Sequence, residues 1–519
     1  MLKISGEDNC IIKKTAVLPV TKEVVCELSL PDYLPDVSRL LRTSADIGAE
    51  NSYVSGQSLE YDGEVNCAVI YATSDGRIKS VPLTGEFDGA LPLPETDGDF
   101  DARLDLKIDS VNCRLQNPRR LSVRTKLSVG ADVYASECVS PSVSGKLSAE
   151  EEAHLQRRTH DGESFCRVYA KDENVPVSED IEIDAGYPPI GEIVSLSLTP
   201  YIYEVRAESG KLSYRGDVSA ELIYLAAATN GDAPAKYVAL RNKIPISGSV
   251  DADGVNDAFF AFGGATVTGV EFRPQANAMG ENRVAEVDFS YTVHLVALCN
   301  TPIKTVTDMY STDYKCENEF SDITLCRALR AGAFNFTSDG AAPLDEKDYD
   351  APVASSAAIS IEKIESSGSK AVFTGKTSVS VILTNGAGSY VGRSLEYPFR
   401  AETDVGKCRG ALECEAVPSV IGVGVRVDGG EIKCDVEVGI SYAALDKETV
   451  RAASTCVVMK DHPQKRATPA SIVICYPSEG EDLWSIAKRY GTTESAVKEA
   501  NSLTGDKLTG EALIIPQKA

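Results

Sequence analysis

The sequence predicts a mainly β protein, with three tandem β-sandwich-like modules followed by a small α+β domain of βααβ order. Three observations carry that prediction. A glycine-centred stretch of alternating apolar and polar residues occurs three times at nearly equal spacing. Helical periodicity is almost absent over residues 1–460. It then appears twice in quick succession between residues 482 and 500.

The repeated stretch reads Leu59-x-Tyr61-x-Gly63-x-Val65-x-Cys67-x-Val69-x-Tyr71 in the first copy. In the second it is Leu212-x-Tyr214-x-Gly216-x-Val218-x-Ala220-x-Leu222-x-Tyr224, and in the third Ala371-x-Phe373-x-Gly375-x-Thr377-x-Val379-x-Val381-x-Leu383. The three glycines are 153 and 159 residues apart. Period-two alternation describes a strand with one buried face. The aromatic two residues before the glycine shares that face. A glycine inside a strand marks a bulge or a close backbone approach, so its recurrence predicts a bend at the same place in each copy.

The remaining elements follow in order. Phe87, Ile246 and Phe399 come 24, 30 and 24 residues after their glycines, each behind a turn-rich stretch. A further alternating strand closes each copy, over Leu121–Val129, Val287–Leu295 and Ile432–Ile440. An acidic-then-aliphatic pair is read as opening each copy: Asp36-Val37, Glu192-Ile193 and Asp322-Ile323. The first sits in Leu30-Pro31-Asp32-Tyr33-Leu34-Pro35-Asp36-Val37, where the prolines favour an extended segment and a turn. Residues between about Gly332 and Ser356, rich in Asp, Ala, Ser and Pro, predict a surface loop. The modules are accordingly set at residues 1–150, 151–308 and 309–460.

Pro463 and Pro469 mark residues 460–470 as a linker to a compact domain at 471–517. Ser471–Tyr476 predicts a strand and Pro477–Glu481 a loop. Asp482 is placed to cap a helix whose Leu483, Ile486, Ala487 and Tyr490 fall at i, i+3, i+4 and i+7. Gly491 ends that helix. Thr493 caps a second one that buries Ala496, Val497 and Ala500, and Leu513–Pro516 closes the domain as a strand. Trp484, the only tryptophan of the chain, is expected to be a structural anchor rather than a ligand platform.

The 519 residues carry 52 Lys and Arg against 77 Asp and Glu, a net charge of −25. Such a surface repels polyanions over a Debye length of about 8 Å, which argues against broad capture of nucleic acid or anionic membrane. Fourteen cysteines occur without any CxxC pair and are expected to be buried reduced thiols. Met1–Asp8 is polar and acidic, without a signal-peptide core. No apolar run approaches the roughly 18 residues needed to cross a bilayer. A soluble cytosolic protein is therefore expected.

No motif for chemistry stands out. The four histidines, His154, His160, His294 and His462, show no metal-ligand spacing. His160-Asp161-Gly162-Glu163-Ser164 holds triad residue types, but sequence neighbours seldom form a triad in space. Asp251-x-Asp253-Gly254-x-Asn256-Asp257 has its glycine too early for an EF-hand loop and is read as a solvated turn. The expectation is a non-enzyme with no catalytic residue, no cofactor and no metal.

Two resemblances add to this reading. Pro31-Asp32-x-x-Pro35-Asp36-Val37, the glycine-centred strand and the three tandem copies resemble the SPOCS domain of the SipL-like spore-coat morphogenetic family, best in the first copy. The C-terminal segment is similar to the LysM domain over that domain's whole length. Gly480, Leu483-Trp484-Ser485-Ile486-Ala487, Tyr490-Gly491, Asn501, Leu508, Gly510 and Ile514-Ile515-Pro516 carry this second likeness.

LysM domains bind N-acetylglucosamine-containing glycans in a shallow groove between the loop before the first helix and the loop after the second. Carried over, the groove residues are Gly480, Glu481, Asp482 and Leu483 on one side. Asn501, Leu503, Thr504, Gly505 and Leu508 form the other. The usual Gly-Asp-Thr-Leu stands here as Gly480-Glu481-Asp482-Leu483, which makes the loop more anionic and better suited to a partner with a cationic patch.

Together the resemblances imply a structural adaptor in spore-coat assembly, working in the mother-cell cytosol at the forespore surface. Its implied partner is a stage IV sporulation protein A-like coat ATPase, contacted through the LysM domain. The alternative is a protein that binds peptidoglycan- or chitin-type N-acetylglucosamine glycans. A third reading is a subunit that polymerises through exposed sheet edges.

Overall fold

Alternation at period two leaves the chain extended almost throughout, and its strands repeat one topology three times. The computed structural model describes all residues except 1, 6–8, 97, 145–146, 228–235, 345–347, 465–471, 479, 506–511 and 517–519. Strand β1 (Leu2–Ser5) precedes the first module. That module holds β2 (Cys10–Ser29), β3 (Val37–Ser55), β4 (Ser58–Thr73), β5 (Ile78–Pro92), β6 (Phe100–Asn117) and β7 (Arg120–Cys138). A short β8 (Ser142–Ser144) and helix α1 (Ala149–Ala153) lead to the second. There follow β9 (Leu155–Glu182), β10 (Ile190–Glu208), β11 (Lys211–Ala226), β12 (Tyr237–Asp251), β13 (Phe260–Ala276) and β14 (Asn282–Ser311). The third module has β15 (Tyr314–Pro343), β16 (Tyr349–Ser367), β17 (Lys370–Asn385), β18 (Tyr390–Asp404), β19 (Ala411–Asp428) and β20 (Glu431–Pro463). The C-terminal domain is β21 (Ile472–Cys475), α2 (Leu483–Tyr490), α3 (Glu494–Ala500) and β22 (Leu513–Pro516).

In every module the first, sixth and fifth strands form one antiparallel sheet, and the second, third and fourth form an antiparallel meander. The two sheets enclose an apolar core. In the first module Tyr61, Val65, Val69 and Tyr71 of β4 lie in one cluster with Leu121, Val123, Leu127 and Val129 of β7. Each such side chain removed from water contributes about 1.5–3 kcal/mol. β1 adds to the outer edge of β9, and β8 pairs in parallel with β20.

The repeated glycine has a steric cause. The strand facing it slips by a bulge at that level: between Ile47 and Glu50 opposite Gly63, between Ile202 and Glu204 beside Gly216, and between Ile361 and Lys363 beside Gly375. The bulged backbone presses into the strand, so a Cβ on Gly375 would lie 2.0 Å from the Ser360 carbonyl oxygen and 2.8 Å from the Phe399 ring. Gly375→Ala is expected to destabilise the third module by about 1–3 kcal/mol, the usual cost of overpacking. Urea unfolding followed by circular dichroism would register the change, and an unchanged midpoint would contradict the steric reading.

Three local expectations are corrected. Gly332–Pro343 belongs to β15 and Tyr349–Ser356 to β16 rather than to a loop, because Phe334, Phe336, Ala342 and Tyr349 pack against the core. The small polar residues of this stretch hid its alternation. Asp322-Ile323 also lies in β15, paired with Arg451 and Val450, and does not open the third meander. Ladder register makes Val37, Ile190 and Tyr349 the equivalent openings, each first in its strand and 26 residues before its glycine. Residues 460–463 finish β20 instead of starting a linker, and Gln464 is held by its backbone N–H to the Asp313 carbonyl at 2.8 Å. Residues 465–470 lie outside the described residues.

The copies do not string out; they close on one another. Ile70, Ile223 and Ile382, each seven residues after its glycine, share one buried cluster with Leu41, Val194 and Ala354. A second shared cluster takes Ile12 and Tyr134 from the first module, Phe165 and Leu298 from the second, and Cys326 and Leu445 from the third. Beside the meanders, Arg42 donates to Glu221 at 2.9 Å, and Arg241 donates to the Ser355 carbonyl at 2.7 Å. Residues from three copies therefore meet in one polar knot.

β9 with β14, and β15 with β20, continue past the module cores as two long ladders. Ile303, Ile323, Leu325 and Val450, then Val306, Met309, Ala453 and Val458, fill the space between them. These ladders form a platform. All fourteen cysteines are free thiols, eight of them buried. Burial pushes the thiols of Cys67 and Cys326 up to about 11 and about 12.

Candidate functional site

The C-terminal domain folds from local signals. Asp482 caps α2 by accepting from the Ser485 N–H at 2.9 Å, and Thr493 caps α3 by accepting from the Ala496 N–H at 3.1 Å. Gly491 ends α2 with φ +63°, a conformation that costs glycine nothing. β21 pairs with β22 through Ile472 to Cys475 and Leu513 to Pro516. Cys475, Leu483, Ile486, Val497, Leu513 and Ile515 make the core.

Helix α2 has a second packed face, turned away from that core. Trp484 and Ala487 are buried with Tyr310 of β14. The Trp484 and Tyr310 rings meet edge to face with centroids 4.9 Å apart, a geometry worth about 0.5–1.5 kcal/mol beyond area burial. The Trp484 indole N–H donates to Asp308 at 2.8 Å, and the Lys488 ammonium donates to both Asp308 oxygens at 2.7 Å. Tyr310 donates its hydroxyl to the Thr492 carbonyl at 2.7 Å. Arg158 of β9 lies 2.8 Å from Asp482. The domain is therefore clamped to the end of the platform by one side of α2 and the residues that flank its two ends.

The expected groove residues separate by role. Leu483 is core, and Leu503 packs partly against it. Asn501 is a staple: its amide donates to the Val497 and Ile514 carbonyls at 2.8 and 2.7 Å, and its carbonyl accepts from the Ile514 N–H at 2.7 Å. All of those contacts are internal to the small domain. Glu481 pairs with Arg489 and accepts from the Ser478 N–H at 3.1 Å. Asp482 is held by Ser485 and Arg158. Burial opposes its ionisation, but those partners outweigh burial and hold its carboxyl below the ordinary range. Gly480, Thr504 and Gly505 are exposed, and Leu508 lies outside the described residues. The two carboxylates that make the loop anionic are thus neutralised within the chain.

Trp484 proves to be an anchor between domains, not inside its own. One signal for this was present in the sequence: a tryptophan and a lysine at i and i+4, off the stripe of Leu483, Ile486 and Tyr490. Asp308, Tyr310 and Arg158 carried none, because nothing local distinguishes them from other strand residues.

The clamp makes docking pH-dependent. Burial works against the Asp308 carboxylate, yet hydrogen bonds from Lys488 and Trp484 prevail and hold its pKa below the ordinary 3.8. A depressed carboxylate stabilises fully above its unfolded value and loses that contribution as pH falls through the folded one. Trp484 emission is therefore expected to hold steady down to about pH 4 and to shift red below it. Asp308→Asn is expected to flatten that transition. An unchanged acid transition in Asp308→Asn would remove Asp308 from the account.

Residues 478–516 match the LysM domain family, and the match suggests a glycan-binding module. No curated protein matches the chain, and no solved structure does. Among the described residues there is no cluster of three or more His, Cys, Asp or Glu side chains that could hold a metal ion. No helix of the described residues is long and apolar enough to cross a membrane.

Proposed function

We propose that this chain is a non-enzymatic adaptor that presents its LysM domain from a rigid three-module β platform. The observation carrying this reading is the clamp: Trp484, Lys488 and Asp482 are used to fix the domain's orientation rather than to meet a ligand. The exposed Gly480, Thr504 and Gly505 are the part of the groove left to a partner.

In its specific form, the reading is spore-coat assembly in the mother-cell cytosol at the forespore surface. The partner is a coat basement-layer ATPase resembling stage IV sporulation protein A. The SPOCS-like opening at Pro31–Val37 and the LysM match support it together. Pull-down from sporulating cells with the full chain, and with a chain lacking residues 471–519, tests it. Recovery of the ATPase by the full chain alone is expected, and recovery by neither would sink the proposal.

A second reading, glycan binding, is favoured by the LysM match. Calorimetric titration with chitin oligosaccharides tests it, with heat expected to saturate and to be lost in Thr504→Arg. Trp484 fluorescence is the wrong reporter for this experiment, since that ring is packed on Tyr310.

A further inference from the structure

Of the fourteen cysteines only Cys138 is exposed. It ends β7, and the residue across the ladder from it is Cys10, the first of β2. Among the described residues no other ladder sets one cysteine opposite another.

Backbone hydrogen bonding fixes how close the two come. The Val139 N–H donates to the Asn9 carbonyl at 3.2 Å, so Asn9 and Val139 are a hydrogen-bonded pair. Pairs alternate along an antiparallel ladder, which makes the next one, Cys10 with Cys138, a non-hydrogen-bonded pair. Such pairs bring their Cα atoms to about 4.5 Å, with both side chains on one face. Disulfides span Cα separations of roughly 4.4–6.8 Å. The two sulfurs therefore stand where a bond can form without moving the strands. The strand ends are also pinned. The Asn9 amide donates to the Ser140 hydroxyl at 2.8 Å, and its side-chain carbonyl accepts from the Lys304 N–H at 3.2 Å.

The other copies use this position to tie the same two strands. Cys138 lies 17 residues after Leu121, and 17 residues after Val287 and Ile432 come Lys304 and Thr449. Their ladder partners are Asp161 and Thr324. Opposite charges and paired threonines are both cross-strand contacts that stabilise a sheet. Cysteine against cysteine is the one version that can become covalent.

Ile11 and Val139, the chain neighbours of the two cysteines, are buried with Ile303, Ile323, Leu325 and Val450 of the platform ladders. A bond between Cys10 and Cys138 would close a loop that holds β2 to β7, the whole strand set of the first module. Long loops lose the most unfolded-state entropy when closed.

We propose that Cys10 and Cys138 form a reversible redox staple, oxidised by a low-molecular-weight disulfide and reopened by the corresponding thiol. Cys138, the accessible sulfur, attacks one sulfur of the small disulfide as a thiolate. A mixed S–S bond forms and the other half leaves. The Cys10 thiolate then attacks the Cys138 sulfur, closes the protein disulfide and releases the second half. Two protein thiols lose two electrons, one small disulfide gains them, and the two protons end on the two thiols released. In a reducing compartment the pair stays open, and it closes as the ratio of small disulfide to thiol rises. The staple belongs to the first module and does not depend on the LysM reading.

The test treats the full chain with oxidised glutathione, followed by alkylation, tryptic digestion and mass spectrometry. A disulfide joining residues 4–13 to residues 127–146 is expected, and reduced glutathione should reverse it. The oxidised chain is expected to unfold at a higher urea midpoint than the reduced one. Cys138→Ser should lose both the cross-link and the shift. Cys10→Ser should stop at a mixed disulfide of glutathione on Cys138. Chains joined to one another through Cys138, a mixed disulfide that persists in the unaltered chain, or a cross-link that forms only in urea would each overturn the proposal. Equal midpoints in the two redox states would overturn it too.

Discussion

Glu221→Ala is expected to cost about 3–5 kcal/mol, the penalty for leaving a buried charge without its partner. Arg42 and Glu221 side chains are only 5% and 10% exposed. Glu221 accepts from Arg42 at 2.9 Å, from Arg241 at 3.3 Å and from the Ser355 N–H at 3.3 Å. Those groups come from the first, second and third modules, so one carboxylate satisfies donors from all three. Its removal strands the Arg42 guanidinium in an interface too dry to solvate it. The pair itself need not add net stability, because desolvation offsets its attraction. A double replacement, Arg42→Leu with Glu221→Leu, is therefore expected to recover most of the loss. Urea unfolding of the four chains forms the cycle. Coupling below about 0.5 kcal/mol, the range of independent sites, would show that the knot does not join the modules.

Trp484→Ala is expected to weaken the clamp by about 3–5 kcal/mol, the usual loss for truncating a buried tryptophan. That corresponds to a factor of about 10² or more in the undocked population. Hydrogen exchange should then quicken at the Asp308–Thr312 and Leu483–Tyr490 amides. The α3 amides should keep their protection, since the domain's own core uses Leu483, Ile486, Val497 and Ile515 instead. Unchanged exchange at Asp308–Thr312 would refute the clamp. Equal acceleration in α3 would mean that Trp484 supports the small domain itself. The same variant bears on function: an undocked domain that still captures the partner would show that fixed orientation is dispensable.

Much of the fold was legible because its signals are local. Period-two alternation identified the strands carrying Gly63, Gly216 and Gly375. Caps at Asp482 and Thr493 and the stop at Gly491 identified the helices. The first strand of each module was harder to see. β15 carries Ala, Gly, Ser and Asp through Gly332–Pro343, and small residues resemble a loop when their ladder partners are unknown. Similarly, Asp322-Ile323 mimics Asp36-Val37 in composition, but register opposite β20 decides its place.

The candidate groove divides in the same way. Its position in the chain was readable from Gly480 to Leu483 and around Asn501. The occupation of its groups was not, because Arg158, Asp308 and Tyr310 lie more than 150 residues away in sequence.

What the sequence alone determined is the strands with strong alternation, the two capped helices and the apolar face of each, since those depend on neighbours two to four residues apart. Only the tertiary structure decided that three copies close around Ile70, Ile223 and Ile382, and that α2 turns Trp484 outward onto a platform. Both outcomes rest on side chains meeting across long separations, where the free energy of contact depends on geometry that no local pattern encodes.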